Sequence, residues 1–300
     1  MSVFGLNGGY KMKTAIVADS TAYLPEELLE KYDIYTIPLS VVMGDETYRE
    51  NVDITTDEFF EKMAKMDALP TTSQPSIGDY ILLLESLYRD GYTDVVSFHL
   101  SAKISGTCQN AVSAGESVEG INVHVIDSEV AAYVQGFLAL YAAQNKDKMS
   151  LEELIENVEE MKKKENTNAY FIVDTLTNLQ KGGRLSNAQA LVGSLLKVKP
   201  ILDFQDGMIV PYEKIRTKKK AKKKVQEVFG QEIEKHQDKN ITAVVIHSNA
   251  EEEGREWKAE LESLYPHVKF TLSHFGPVIG THLGEGALGL GYTTFDVEVD

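Results

Sequence analysis

The chain reads as an α/β protein of two α/β domains, the first on a mostly parallel sheet, with a ligand expected in the inter-domain cleft. Three observations lead there. Short apolar runs alternate with helix-length amphipathic runs through the first half, which implies βαβ crossovers. Polar residues recur just after those apolar runs: Asp19, Ser20 and Thr21, then Ser101 and Ser105, then Asp127 and Ser128. In an open parallel sheet the crevice beyond the strands' carboxyl ends takes the ligand. Finally, a charged stretch at residues 162–168 (KKKENTN) separates this half from a second α/β pattern.

The elements follow in order. Residues 1–11 precede Met12 and are expected to be a leader or cloning remnant. A first domain over residues 12–164 carries strand-like runs at 14–18, 34–42, 94–99 and 122–126. Helical runs fall at 24–31, 56–66, 77–89, 107–114, 129–144 and 151–164. A second domain over 165–300 opens with a strand at 169–173 and a helix at 187–196. Runs at 200–204 and 208–212 flank Gln205-Asp206-Gly207, whose Asp-Gly pair signals a hairpin. A helix at 221–236, a strand at 241–247, a helix at 251–265 and two apolar segments complete the chain.

Three hundred residues are enough to bury a substantial core, and 43% hydrophobic content is ordinary for a globular chain. No apolar run approaches the ~18 residues a membrane span needs. The single cysteine, Cys108, excludes an internal disulfide and fits a reducing cytoplasm. A formal charge of −16 argues against nucleic acid as a partner. Against that background, Lys214, Arg216, Lys218, Lys219, Lys220, Lys222, Lys223 and Lys224 are a local basic run. Two readings stand for it: a solvated helix face, or a docking patch for an acidic partner or an anionic membrane surface.

Four segments carry candidate chemistry. In residues 94–114 a buried strand runs into Ser101, Ser105 and Thr107 where a helix should begin. Free N–H groups and the helix dipole favour an anion there, although Ser105 would equally serve as a helix cap. The phosphate-loop lysine is missing, so a carboxylate suits the site better than a nucleotide phosphate. In residues 69–76, Pro75 stiffens an extended loop that holds Thr72 and Ser73 in place. The third segment, Lys181-Gly182-Gly183-Arg184, exposes an arginine suited to a carboxylate or phosphate of a ligand or partner, or equally to a structural ion pair. The last, residues 274–286, sets His282 beside Thr281 in a glycine-rich turn, with a ring expected to reach into a cleft. Asp19 and Asp127 stand at strand ends where a ligand is expected or serve instead as helix N-caps, the cap being the expected role for Asp127. The sequence has no G-x-S-x-G elbow, zinc spacing or dinucleotide-binding glycine motif. Cys108 is expected to be a small buried residue.

Taken together, the segments resemble the DegV family of fatty-acid-binding proteins, which includes the lipid-binding subunits of bacterial fatty acid kinase. The matching pieces are Ala18-Asp19-Ser20-Thr21, Thr72-Ser73-Gln74-Pro75, Leu100-Ser101 through Ser105-Gly106-Thr107, Gly182-Gly183-Arg184-Leu185-Ser186, Arg216-Thr217-Lys218-Lys219 and Gly276 through His282. They fall in order over almost the whole chain. Gly284-Glu285-Gly286 departs from an expected Gly-Pro-Gly and puts the local turn shape in question.

The resemblance implies a long-chain fatty acid between two α/β domains. It implies a carboxyl group held by Thr72 and Ser105, with His282 next and Ser73, Ser101 and His274 further candidates. It also implies presentation of that acid to a separate ATP-dependent catalytic subunit for acyl phosphate formation, with no cofactor or metal on this chain. By the same resemblance Arg184 and Arg216 contact the kinase or the membrane. The competing reading is a hydrolase or acyltransferase on acyl esters, with Ser105 or Cys108 as nucleophile and His282 as base.

Overall fold

The computed structural model describes residues 13–185 and 198–300. The expected leader and the helix at 187–196 lie outside the described residues. A parallel sheet in the order β2-β1-β6-β7 forms from β1 (Thr14–Asp19), β2 (Ile34–Ile37), β6 (Asp94–His99) and β7 (Asn122–Asp127). Its outer face is covered by α3 (Ile77–Arg89) and α4 (Thr107–Glu116), which pack Tyr80, Leu84 and Ala111 against Ala15, Val17 and Val95. Ser76 caps α3 by accepting from the Asp79 N–H at 3.0 Å.

The run at 34–42 is not one strand. It breaks at Pro38, which has no N–H to give a ladder, and the chain leaves the parallel sheet. Residues β3 (Ser40–Met43), β4 (Glu46–Arg49) and β5 (Thr71–Ser73) then form a separate antiparallel sheet, β4-β3-β5. The loop that carries Thr72 is therefore an edge strand. Helix α1 (Glu26–Lys31) follows Pro25, and α2 (Thr56–Met63) starts with a capping box between Thr55 and Glu58.

The second half builds a six-stranded sheet in the order β10-β9-β8-β13-β11-β12. Its strands are β8 (Thr167–Ile172), β9 (Lys199–Gln205), β10 (Met208–Ile215), β11 (Thr242–His247), β12 (Lys269–His274) and β13 (Leu288–Thr293). Only the β11–β12 pair is parallel; every other pairing is antiparallel. The expected hairpin is present, with Asp206 at φ 50° and Gly207 at φ 77° forming its two-residue turn. Helices α8 (Lys218–Lys235) and α9 (Glu251–Leu264) cover one face with Phe229, Trp257 and Leu261.

Helix α5 (Tyr133–Asn145) lies between the two large sheets, touching β1 and β6 on one side and β8, β11 and β13 on the other. It is apolar almost all round, as a helix buried on every face must be. It begins at Tyr133 rather than 129, and Asp127 does not cap it. Asp127 instead accepts from the Ala102 and Glu129 N–H groups, bracing the turn beside it. After α6 (Leu151–Met161) and α7 (Thr177–Gly182), the glycine-rich segment expected as a turn forms α10 (Pro277–Leu283). Pro277 at its first position is preset for helical φ and lacks an N–H the helix would leave unused. Gly284 and Gly286, at φ 74° and 77°, flank Glu285 and keep a glycine turn where the Gly-Pro-Gly departure stands.

Candidate functional site at the inter-sheet cavity

A cavity of about 300 Å³ opens where α5, the six-stranded sheet, α10 and the β3–β5 sheet meet. That is at the low end of the range for small-molecule sites. Its inner wall is apolar and buried, with Ala131, Ala132, Val134, Phe171, Ile246 and Val278 among the liners. Its polar liners are Thr72, Ser73, Gln74, Ser105, Arg184 and His282. Ser73, Gln74 and Gly106 are exposed, so the polar group forms the mouth and the apolar part runs inward.

Contacts join these polar residues into one cluster. The Thr72 hydroxyl and His282 Nε2 are hydrogen-bonded at 2.9 Å. A Cβ on Gly182 would lie 2.4 Å from His282 Nδ1, so only glycine lets that ring take its place. Arg184 donates to the carbonyls of Gly182 (2.5 Å) and Ile104 (3.2 Å), bringing α7 and the Ser105 turn together. Ser105 Oγ shares a 2.8 Å hydrogen bond with Thr107 Oγ1 and accepts from the Thr107 N–H at 3.3 Å, at the start of α4. A Cβ on Gly106 would sit 2.2 Å from Gln74 Oε1, so the glycine lets Gln74 lie across the mouth.

Electrostatics at the mouth favour an anion. Gly106 at the N-terminus of α4 and Arg184 both line it. Burial, reinforced by Arg184, pushes the His282 imidazole down to about 4, so the ring is neutral at pH 7. Neutral His282 has one N–H. If Nε2 carries it, Thr72 accepts from the ring and its own proton is free to point at a ligand oxygen. Among the described residues Nδ1 is buried without a partner, and a bare acceptor there costs less than an orphaned N–H.

The DegV family model matches residues 13–294. The chain belongs to the DegV family. It is 50% identical to protein DegV of Bacillus subtilis over 281 residues, covering 93% of this chain and 98% of that one. A DegV domain-containing protein of Listeria innocua is 49% identical over 280 residues, 93% of this chain and 97% of the relative. The crystal structure of B. subtilis DegV, described as a fatty acid binding protein, superposes with a TM-score of 0.88, covering 95% of this chain and 100% of that one at 49% identity. A stearic acid-binding protein from Eubacterium ventriosum superposes with a TM-score of 0.86 at 30% identity, covering 94% and 98%.

In this DegV-family chain Thr72, Ser73, Ser105 and His282, expected from sequence, meet at the mouth. Ser101 and His274 do not. Ser101 is fully buried and donates to the Gly207 carbonyl at 2.7 Å, tying the hairpin tip to the first sheet. His274 ends β12, packs on Tyr23 and opens onto a different cleft with His247, Asp57 and Arg255. Arg184 lines the cavity, whereas Arg216 is exposed just before α8. Gln74 was missed as a liner, although it sits inside a quoted motif. The basic run is partly neutralised, since Lys218 and Lys222 pair with Glu253 and Lys224 pairs with Glu213.

The hydrolase reading needs an activated nucleophile. His282 Nε2 is engaged by Thr72 rather than by Ser105 or Cys108. Burial pushes the Cys108 thiol up to about 12, so it stays protonated. Thr72 with His282 resembles a nucleophile–base pair, but no group among the described residues orients Nδ1, and burial makes the ring a weak base.

Proposed function

We propose that this chain binds a long-chain fatty acid, carboxyl group outward, and presents it to a separate ATP-dependent kinase that forms the acyl phosphate. The observation that carries this reading is the polarity of the cavity: the exposed liners are Ser73, Gln74 and Gly106 beside Thr72 and Ser105, and the buried lining is mostly apolar. Two α/β domains divided near Lys164 would hold the acid between them. Thr72 and Ser105 would donate to the carboxylate, Arg184 would offset its charge, and His282 would aim the Thr72 hydroxyl. Gln74 and Ser73 would complete the rim.

Magnitudes support a division of labour. A sixteen-carbon tail buries about fifteen methylene-sized groups at ~0.8 kcal/mol each, an upper value near ~12 kcal/mol. Hydrogen bonds to a charged head group add about 1.5–3 kcal/mol apiece before desolvation. The tail thus sets affinity and the hydroxyls set the position of the reacting oxygen. A carboxylate at an open mouth is within reach of a second protein, and the exposed Arg216, Lys219 and Lys220 would serve as its docking surface or touch an anionic membrane.

Native mass spectrometry with lipid extraction tests the ligand: a long-chain acid should co-purify, and its absence together with failure to bind added acid refutes the reading. In a reconstituted kinase assay, Thr72→Val and Ser105→Ala should retain bound acid yet lose phosphorylation. Equal loss of retention and turnover would contradict the assigned roles.

A further inference from the structure

The head-group cluster joins two elements distant in sequence, Thr72 on β5 and His282 at the last turn of α10. Neither has a covalent reason to stay in register with the other. A single buried side chain outside the cavity is bonded to the supports of both.

Glu50 directly follows β4, with 1% of its surface exposed. Its carboxylate accepts from the Ser20 hydroxyl, from Tyr23 OH at 2.9 Å and from the Val278 N–H at 2.8 Å. Tyr23 OH in turn accepts from the Ile279 N–H at 3.1 Å. These two N–H groups belong to the first turn of α10, whose own N-cap, Gly276, offers no side chain. Glu50 and Tyr23 therefore cap α10 from outside it, a role usually filled by the residue before the helix. On the other side, the Glu50 N–H donates to the Leu39 carbonyl at 2.9 Å, and the Leu39 N–H donates to Ser20 Oγ at 3.0 Å. Leu39 leads directly into β3, which pairs Val41 with Thr72. Glu50 thus holds the start of the helix bearing His282 directly through its carboxylate, and the entry to the strand that aligns Thr72 through its own N–H and, from the carboxylate, through Ser20.

We propose that Glu50 is the positioning residue of the head-group site: in its ionised form it fixes α10 against the β3–β5 sheet, and its protonation loosens the Thr72–His282 pair and the grip on the bound carboxylate. This inference rests on the fatty-acid reading for its ligand. From Val278 to His282 is about one helical turn, roughly 6 Å, so a shift at the capped end reaches the imidazole undamped. The ionised carboxylate satisfies three donors, whereas a protonated one must become a donor among groups that already donate to it.

The groups facing Glu50 are few. Tyr23 touches it, Asp19 lies on the same side, and His274 stacks on Tyr23. From α2, Asp57 faces His274, and α10 brings only His282. Burial raises the Glu50 carboxyl to about 7, with Asp19 adding to the rise and the three donors opposing it.

The test is the release rate of a fluorescent long-chain acid, cis-parinaric acid, between pH 5.5 and 8.5, read beside the His282 ring NMR signals in the ligand-free protein. In the unsubstituted chain release should quicken about tenfold on acidification, with a midpoint near pH 7, the size expected from weakening one charge-assisted contact. Glu50→Gln should abolish the pH step, and its His282 signals should not change over that range. Tyr23→Phe, which removes the relay to Ile279, should quicken release while leaving a step. A step of unchanged size and midpoint in Glu50→Gln, or His282 signals that ignore Glu50, would overturn the proposal. Failure of the unsubstituted chain to take up the acid at pH 8.5 would sink the fatty-acid reading instead, and the ligand-free NMR signals would then decide the role of Glu50.

Discussion

Replacing His282 by glutamine should change how stability responds to acid, because the ring is held neutral inside the protein. Its pKa falls from 6.5 to about 4, chiefly through burial and secondarily through Arg184. A base with a lowered folded pKa binds protons more readily when unfolded, so acid pulls the equilibrium toward the unfolded state. Its stabilising contribution is complete above 6.5 and is lost as pH falls toward 4. The loss is about 1.4 kcal/mol by pH 5.5 and about 2.5 kcal/mol by pH 4.5. Glu50 works in the opposite sense: with a carboxyl raised from 4.5 to about 7, it costs stability as pH rises through that interval. The native chain therefore shows a partly cancelled profile, and only a difference isolates the histidine. Urea unfolding of His282→Gln and the unsubstituted chain, followed by circular dichroism from about pH 4.5 to 7.5, supplies it. The variant should gain about 2.5 kcal/mol relative to the native chain over that span. Curves that stay parallel within about 0.5 kcal/mol would refute the claim that this imidazole is buried uncharged.

Gly182→Ala should force the His282 ring off Thr72, since the new methyl would lie 2.4 Å from Nδ1; kinase-dependent turnover of bound acid should fall about tenfold or more, and the histidine NMR signals should shift. Asp19→Ala strips a fully buried acceptor from the Leu100 and Thr21 N–H groups, and urea unfolding should show about 3–5 kcal/mol of lost stability. The C-terminal segment packs Val297 and Val299 into the shared core while Glu298 bonds to Lys31 and Gln144. Val297→Ala with Val299→Ala should cost about 2–4 kcal/mol and lower the melting temperature.

The alternation of apolar strands and amphipathic helices was legible because each element's face pattern is local: period two or 3.6 along a few residues. That suffices for the parallel sheet, the Asp206-Gly207 hairpin and the buried helix α5. Short motifs, read together through their family resemblance, made Thr72, Ser105 and His282 candidates for holding a carboxyl group. What sequence did not contain was which polar groups become each other's partners. Ser101 and His274 are the same residue types as Ser105 and His282, yet one is spent on the Gly207 carbonyl and the other faces a different cleft. Nor does a local pattern announce that Pro38 hands the chain to another sheet, or that Glu50 caps a helix 228 residues further on. Periodicity is a property of neighbours along the chain; hydrogen-bond partnership, burial of a charge and the direction of a cavity belong to neighbours in space, and only the assembled core decides them.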